Sequence, residues 1–515
     1  MSIDPNRPDF TLGIVGAGAM GRGIAQVAAE AGITVLLADA RPEAVAEART
    51  FCADMIGRRV AKGQMNSADA EAAIARIRTT DAGPDAGYAA FAACDLVIEA
   101  VAERMDVKHA VLTGIESCVR DDCIIATNTS SLSVTAFAAK ARRPERVAGF
   151  HFFNPVPLMR LVEVIGGVLT ESGVLDSLVG VARRIGHHPV RATDTPGFLV
   201  NHASRAFTTE ALRIVSEGIC GFVDVDRIMV EAAGFRMGPF EFLDLTGLDV
   251  SLPVMESIYR QYYDEPRYRP SFVAAQRHAA GLLGRKTGRG FYTYDNGKAR
   301  RPEEAAPPPL TARDTPVWVS PRHPDAAQAL TRVLQAAGAH IESGARPSNT
   351  ALILVTPFGD DATTSALAED LDPKRTLAVD CLFGLERRRT LMATPITDTS
   401  MRDCAHALLA SDGTAVTVIR DSAGFVAQRI LASIVNVGCD IAQQRVASPE
   451  DIDRAVEIGL GYPRGPLRWG DELAPARILG ILEAMQRFYG DPRYRPSPWL
   501  KRRAALSASL RTPEH

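Results

Sequence analysis

The sequence has little from which to build a metal centre or a disulfide framework. Its eight cysteines, Cys52, Cys94, Cys118, Cys123, Cys220, Cys381, Cys404 and Cys439, include no C-x-x-C pair, and no histidine cluster lies beside them. They are expected to be free thiols in a reducing compartment. No apolar run approaches the roughly 20 residues that a membrane span requires. The opening MSIDPNRPDF carries acids and prolines where a signal peptide needs a basic start and an apolar stretch, so a cytoplasmic protein is expected. An excess of charge is missing too. With 58 Lys and Arg against 61 Asp and Glu, the formal charge of −3 makes no electrostatic case for nucleic acid or an anionic membrane. A local basic patch could still hold a phosphorylated ligand.

What is present is length and alternation. A chain of 515 residues is too long for one core and divides into several domains. TLGIV, TVLLAD, CDLVIEAVAE, CIIATNTSS and RVAGFHFF read as strands separated by helices, which implies a parallel, doubly wound α/β sheet of Rossmann type over residues 1–192. Residues 41–80 read as two Ala-rich helices. From Asp194 helical stretches follow one another, with no clear strand, giving an all-α domain over 193–297. KARRPEEAAPPPLTARDTP is rich in Pro, Ala and charge and reads as a linker, 298–315.

After the linker the chain repeats itself. DTPGFLVNHASRAF at Asp194 is answered by DSAGFVAQRILASI at Asp421, an offset of 227 (421 − 194). Gly238-Pro239 returns as Gly465-Pro466 at the same offset, and EPRYRPS around Pro266 as DPRYRPS around Pro492 at 226. The helical domain is therefore duplicated, as 421–515. Before it, PVWVS, AHIES, ALILVTPF and RTLAVDCLF read as strands of a degenerate α/β segment, 316–420, that lacks a glycine-rich turn. RPERVAGFHFFNP corresponds to DPKRTLAVDCLFG, with Pro144 matching Pro373 at an offset of 229.

Gly16, Gly18 and Gly21 form G-x-G-x-x-G between a strand and a helix. The first permits the tight turn, the second the approach of a pyrophosphate, and the third close packing of helix on strand. Asp39 ends the next strand, where a carboxylate accepts from ribose hydroxyls and repels a 2′-phosphate. NAD is thus favoured over NADP, although Arg41 tempers the preference. A glycine-rich turn with no cofactor is the plain alternative.

HFFNPVPLMRLVEV, NTSSLS at Asn128, DTPGFLVN at Asp194, MGPFEFLDLTGLDV at Met237 and GRKTGRGFY at Gly284 occur in this order over about the first 295 residues. In that ordered set the chain resembles the short-chain L-3-hydroxyacyl-CoA dehydrogenase family. Its tandem second half resembles the longer bacterial members, among them enzymes acting on 3-hydroxybutyryl-CoA and on 3-hydroxyadipyl-CoA in phenylacetate degradation. The resemblance implies NAD as cofactor, an acyl-CoA substrate and a catalytic pair, His151 and Glu163. Oxidising an alcohol requires removal of its proton as hydride leaves carbon, and imidazole suits that near neutral pH. A carboxylate on the other ring nitrogen would fix the tautomer. Without the resemblance His151 would pass for a core histidine and Glu163 for a solvated acid.

By the same resemblance, Ser130 and Asn201 orient the substrate oxygen, and Met20, Glu103, Lys108 and Asn128 join the cofactor set. For Glu103 and Lys108 a surface salt bridge is a poor alternative, because residues five apart share no helical face. Lys62, with Arg58 and Arg59, could bind the phosphates of coenzyme A or simply be a solvated basic face. One departure concerns Asn201, which the family follows with arginine and this chain with His202.

The repeat provides an internal control. His151 falls at Asp380 and Glu163 at Met392 with the offset of 229, and Asn201 at Gln428 with 227. The second half lacks the base, its partner and the cofactor glycines, so it is expected to be silent. Two helical copies in one chain could pack as an intramolecular pseudo-dimer, with a homodimer also open, and the second copy would buttress the first and help shape the acyl pocket. Competing readings are a dehydrogenase of a free hydroxy or sugar acid, and a non-catalytic NAD- or acyl-CoA-binding protein. No segment resembles a crotonase domain.

Overall fold

The computed structural model describes residues 2–83, 86–310 and 314–514; residues 311–313 of the expected linker lie outside them. Residues up to His202 pack with Gln444–Leu460 into one compact unit, and Ala203–Gln443 with the chain from Gly461 onward into another.

The first unit is built on an eight-stranded sheet of order β3-β2-β1-β4-β5-β6-β7-β8. Its strands are β1 Thr11–Val15, β2 Thr34–Ala38, β3 Ile77–Thr79, β4 Leu96–Glu99, β5 Ile124–Thr127, β6 Val147–Phe152, β7 Leu161–Gly166 and β8 His188–Thr193. The helices are α1 Ala19–Glu30, α2 Pro42–Ala61, α3 Ser67–Arg76, α4 Met105–Glu116, α5 Val134–Ala138, α6 Ser172–Arg184 and α7 Val200–Ala203. Apolar clusters cover both faces of the sheet, which is why its strands read as continuous apolar runs. The expected parallel order holds for the first six strands only. β7 runs antiparallel to β6, and β8 is parallel to β7. The short connection 153–160 has no room for a crossover helix of a dozen or more residues, so the chain turns straight back. That reversal sets His151 directly opposite Glu163.

The second unit begins with α8, Arg205–Ser216. A hairpin of β9, Thr293–Asp295, and β10, Lys298–Arg300, follows the first helical copy, so the expected linker opens with a strand. Nor does the linker hang free. Glu304 is held by both Nη atoms of the buried Arg388 at 2.6 and 2.8 Å, and Arg227 donates to the Pro302 carbonyl at 2.6 Å.

The degenerate α/β segment is a five-stranded sheet in the order β11 Val317–Val319, β12 Leu352–Val355, β13 Thr376–Val379, β14 Arg389–Ala393 and β15 Val416–Ile419. AHIES contributes only an isolated bridge at Ile341, whereas β14 and β15 were not anticipated. Only the β13–β14 pair is antiparallel, as only β6–β7 is in the first sheet. The five strands therefore match β4–β8. Among the described residues this sheet has no counterparts of β1 to β3, the first two of which border the glycine turn and Asp39. The register also revises the repeat. Val379 pairs with Leu391, and Asp380 N donates to the Thr390 carbonyl, so the residue opposite Asp380 is Thr390. Glu163 corresponds to Thr390 and not to Met392, because the second hairpin is two residues shorter.

The helical copies meet within the second unit. α8 packs on the helix Ala427–Gln443. The buried Glu210 accepts from Arg429 Nη2 and the Tyr494 hydroxyl at 2.7 Å each, and Arg429 reaches Glu217 as well. Arg429 is the 227-offset mate of His202, so the second copy keeps the arginine that the first has lost. The same offset turns Glu210 into Val437 and Glu217 into Gln444. The carboxylates are absent from the copy whose offset mates would face the missing arginine.

The copies also exchange a segment. In the first unit the Val446 carbonyl accepts from Thr193 N at 2.9 Å, and the helix Pro449–Gly459 lies on β7 and β8. In the second unit the Ile219 carbonyl accepts from Arg420 N at 3.0 Å, and the turn Ile228–Ala232 lies on β14. Residues 193 and 420, like 219 and 446, are 227 apart. Each sheet is bordered by a segment of the other helical copy.

Candidate active site

The glycine turn joins β1 to α1. Gly16 has φ +109, and a Cβ there would lie 2.4 Å from the Ala100 carbonyl oxygen. At Gly21 a Cβ would lie 1.7 Å from the Gly16 oxygen, so helix and turn can close only on glycine. Gly18 differs, since a Cβ there would meet nothing within 4 Å. Its missing side chain leaves a cradle open in front of the α1 N-terminus, where backbone N–H groups favour a pyrophosphate. Asp39 Oδ2 accepts from Ala17 N at 2.8 Å and Oδ1 from Arg41 N at 3.0 Å, so the acid also clamps the turn. Met20, in the first turn of α1, is half-buried against the core.

His151 and Glu163 are both buried, at 5% and 0% exposure. Opposite residues on antiparallel strands hold their Cβ atoms about 5 Å apart. The carboxylate therefore meets the imidazole, with Glu163 Oε2 2.6 Å from His151 Nδ1. Glu163 Oε1 accepts from Leu199 N at 3.0 Å and Val200 N at 2.8 Å. Those two donors are aimed by the turn Thr195–Phe198, in which Gly197 and Phe198 take φ +78 and +49. With one carboxylate oxygen fixed by backbone, the other fixes the ring. Nδ1 is committed to Glu163 and Nε2 is the nitrogen available for chemistry.

Asn128 and Ser130 lie on the loop after β5. Asn128 Oδ1 accepts from Phe152 N at 2.9 Å, which ties this loop beside His151. Asn201 Nδ2 donates to the Ser130 carbonyl at 3.5 Å. Below the loop, Glu103 Oε1 gathers Thr129 Oγ1 at 2.6 Å, Ser130 N at 2.9 Å and Ser131 N at 3.0 Å. Its other oxygen lies 3.3 Å from Lys108 Nζ. Helical spacing gives no reason to expect this ion pair, but Glu103 precedes α4 and folds back over its first turn. Lys108 is 1% exposed and is also bound by both oxygens of Glu99 at 2.8 and 3.0 Å. Its ammonium is thus spent beneath the loop. Glu99, at the end of β4, was overlooked; an acid closing the apolar run LVI was its only signal.

The Glu103 carboxyl lies below the ordinary glutamate range. Burial pushes it up, but Lys108 and the hydrogen bonds from Thr129, Ser130 and Ser131 outweigh that. Its hold on the loop is complete above the ordinary glutamate value and is lost as pH falls through the lowered one. In Glu103→Gln the Ser130 and Ser131 amides should exchange hydrogen about tenfold faster at neutral pH, given what a charged hydrogen bond contributes. In acid the difference from the parent protein should disappear. Equal exchange at neutral pH would remove this role from Glu103.

A cavity of about 1110 Å³ opens between α1, α2 and the segment Asn154–Leu158 that follows the histidine strand. Arg22, Arg58, Arg59, Lys62, Arg160 and Arg184 are in its wall. Arg59 pairs with Glu30, the wall's carboxylate, so the lining is strongly basic. Lys62 closes the C-terminus of α2 and faces this space.

The second copy has filled the corresponding position with its own side chains. Gln428 Nε2 donates to Asp380 Oδ1 at 2.9 Å, and Gln428 Oε1 accepts from Gly359 N at 2.8 Å. Burial raises the Asp380 carboxyl. Among the described residues no group of acids, histidines and cysteines is placed to hold a metal, and no helix is long and apolar enough to cross a membrane.

Comparison with known proteins matches residues 11–195 to the NAD binding domain of 3-hydroxyacyl-CoA dehydrogenase. Residues 197–294 and 424–511 each match that enzyme's C-terminal domain. The 3-hydroxyadipyl-CoA dehydrogenase of Escherichia coli K12 is 35% identical over 97% of this chain and 98% of its own. Human mitochondrial hydroxyacyl-coenzyme A dehydrogenase is 37% identical over 55% of this chain and 90% of its own. A crystal structure described as 3-hydroxybutyryl-CoA dehydrogenase from Escherichia coli K12 superposes with a TM-score of 0.83, at 33% identity over 97% of this chain and 98% of that one.

Proposed function

The chain belongs to the 3-hydroxyacyl-CoA dehydrogenase family and catalyses NAD-dependent oxidation of a 3-hydroxyacyl-CoA, and from that premise we propose that His151 is the general base, held in its working tautomer by Glu163. The observation that carries this reading is the 2.6 Å contact between His151 Nδ1 and a carboxylate that two backbone N–H groups already hold. NAD, when bound, accepts the hydride. Nε2 takes the hydroxyl proton, and Glu163 stabilises the imidazolium that results. Ser130 and Asn201 orient the reacting oxygen through hydrogen bonds that strengthen as charge develops on it.

Gly16, Gly18, Gly21, Met20 and Asp39 are assigned to the dinucleotide, supported by the open cradle at Gly18. Asn128, Glu103 and Lys108 shape the loop that borders it. Lys62 and its arginine neighbours are assigned to the phosphates of coenzyme A, which the basic wall of the cavity would attract. The division into 1–192, 193–297, 298–315, 316–420 and 421–515 describes the repeat units, and the helical copies act as an intramolecular pseudo-dimer.

The acyl group is proposed to be dicarboxylic, as in the 3-hydroxyadipyl-CoA named for the full-length relative. Arg160, in the cavity wall, is offered as the partner of the distal carboxylate. NADH consumption with 3-oxoadipyl-CoA should exceed that with acetoacetyl-CoA by about tenfold in kcat/KM, the scale of one added charge-assisted contact. A preference for acetoacetyl-CoA would overturn the dicarboxylic reading. Silence with both, in protein that binds NADH, would favour a free hydroxy acid as substrate.

A further inference from the structure

We infer that the helix Pro449–Gly459, supplied by the silent half, is a positioning element for the Glu163–His151 pair, acting through a close contact at Gly459. The inference rests on the catalytic reading of that pair. A Cβ on Gly459 would lie 2.8 Å from Leu161 Cδ2 and 3.3 and 3.4 Å from the two Cγ atoms of Val200. Both contacted residues are fully buried and both bear on the carboxylate. Val200 N donates to Glu163 Oε1 at 2.8 Å. Leu161 stands two residues before Glu163 on β7 and so on the same face of the sheet. Gly459 therefore presses backbone against the side chains of two residues that flank Glu163.

The repeat separates this feature from mere packing. At the offset of 227 Gly459 corresponds to Ala232, and the Asp-x-Asp-Arg preceding each, at Asp224 and Asp451, is the same in both copies. Ala232 belongs to the turn that lies on β14, where Thr390 stands in place of Glu163 and no base follows. The copy that borders the working pair carries glycine, and the copy that borders the silent hairpin carries a side chain. Gly459 is not in the left-handed region of φ, since it is absent from the positive-φ glycines, so backbone conformation does not call for it. Space does.

The test uses the full chain and five variants. Gly459→Leu should lower kcat about 10- to 100-fold, the scale of an ångström-sized misplacement, with NADH affinity unchanged within about twofold. Gly459→Ala, which asks only a small shift of Leu161, should keep its melting temperature and lose about two- to fivefold in kcat. Gly459→Leu combined with Leu161→Ala should recover most of the loss, because the room is returned. In a Glu163→Gln background, Gly459→Leu should add less than about twofold, since a residue acting through Glu163 has nothing left to position. Wild-type kcat in a folded Gly459→Leu protein would overturn the inference, as would the same loss repeated in the Glu163→Gln background. If Gly459→Leu does not fold, an unchanged kcat in Gly459→Ala overturns it instead. Full turnover by Glu163→Gln alone would refute the catalytic reading, which is a separate failure.

Discussion

Replacing His151 by glutamine is expected to lower turnover by about 10²- to 10⁴-fold, with NADH affinity held within about twofold. Glutamine keeps a side-chain hydrogen-bonding group beside Glu163 but cannot accept a proton from a hydroxyl. The turn Gly16–Gly21 and Asp39, assigned above to the dinucleotide, follow β1 and β2, and their hydrogen bonds do not pass through the imidazole on β6. Binding followed by fluorescence and turnover followed at 340 nm should therefore separate cleanly. Wild-type turnover in the variant would mean that another group takes the proton, and a parallel loss of NADH affinity would mean that His151 holds the site together.

A chain ended after residue 297 should be insoluble or should retain less than about 1% of the activity. It keeps every residue assigned to chemistry, so the expectation concerns what covers them. Glu210 is buried against Arg429, Arg493 and Tyr494, all of which would be gone. A buried charge stripped of its partners costs about 3–5 kcal/mol, a large share of the 5–15 kcal/mol that holds a typical domain. The apolar face of α8 would be bared with it, and β7 and β8 would lose the helix Pro449–Gly459. Soluble fraction and turnover per mole of the shortened chain decide the matter, and full activity would show the second half to be dispensable.

The fold was legible where local pattern and local chemistry coincide. The glycine turn, Asp39 and the strands β1, β2, β4, β5 and β6 lie in continuous apolar runs, and the pairing of His151 with Glu163 follows from a motif in which both occur. The reversal at β7 leaves no local signal, because strand direction depends on the room left for a crossover. The ion pair of Glu103 with Lys108 is not legible from helical spacing, because Glu103 lies outside the helix. The exchange of 444–460 left no trace in periodicity, since a helix that covers a foreign sheet is as amphipathic as one that covers its own. The Glu163 correspondence slipped by two residues because an offset read before a shortened hairpin was carried through it. The left-handed Phe198 carries a similar lesson. Phe425 in the second copy has the same φ of +49, so the turn belongs to the repeat and is not by itself a mark of the site.

The placement of 444–460 has a consequence for how the chain is made. Residues 203–443 leave the ribosome between the two parts of the first unit. At about 5–20 residues per second, that interval lasts on the order of ten seconds or more. Throughout it the nascent nucleotide-binding sheet stands without its border helix, with the apolar β7–β8 surface open to solvent. The half of the gene that lacks the glycine turn and counterparts of His151 and Glu163 thus fixes the earliest moment at which the first unit can finish folding.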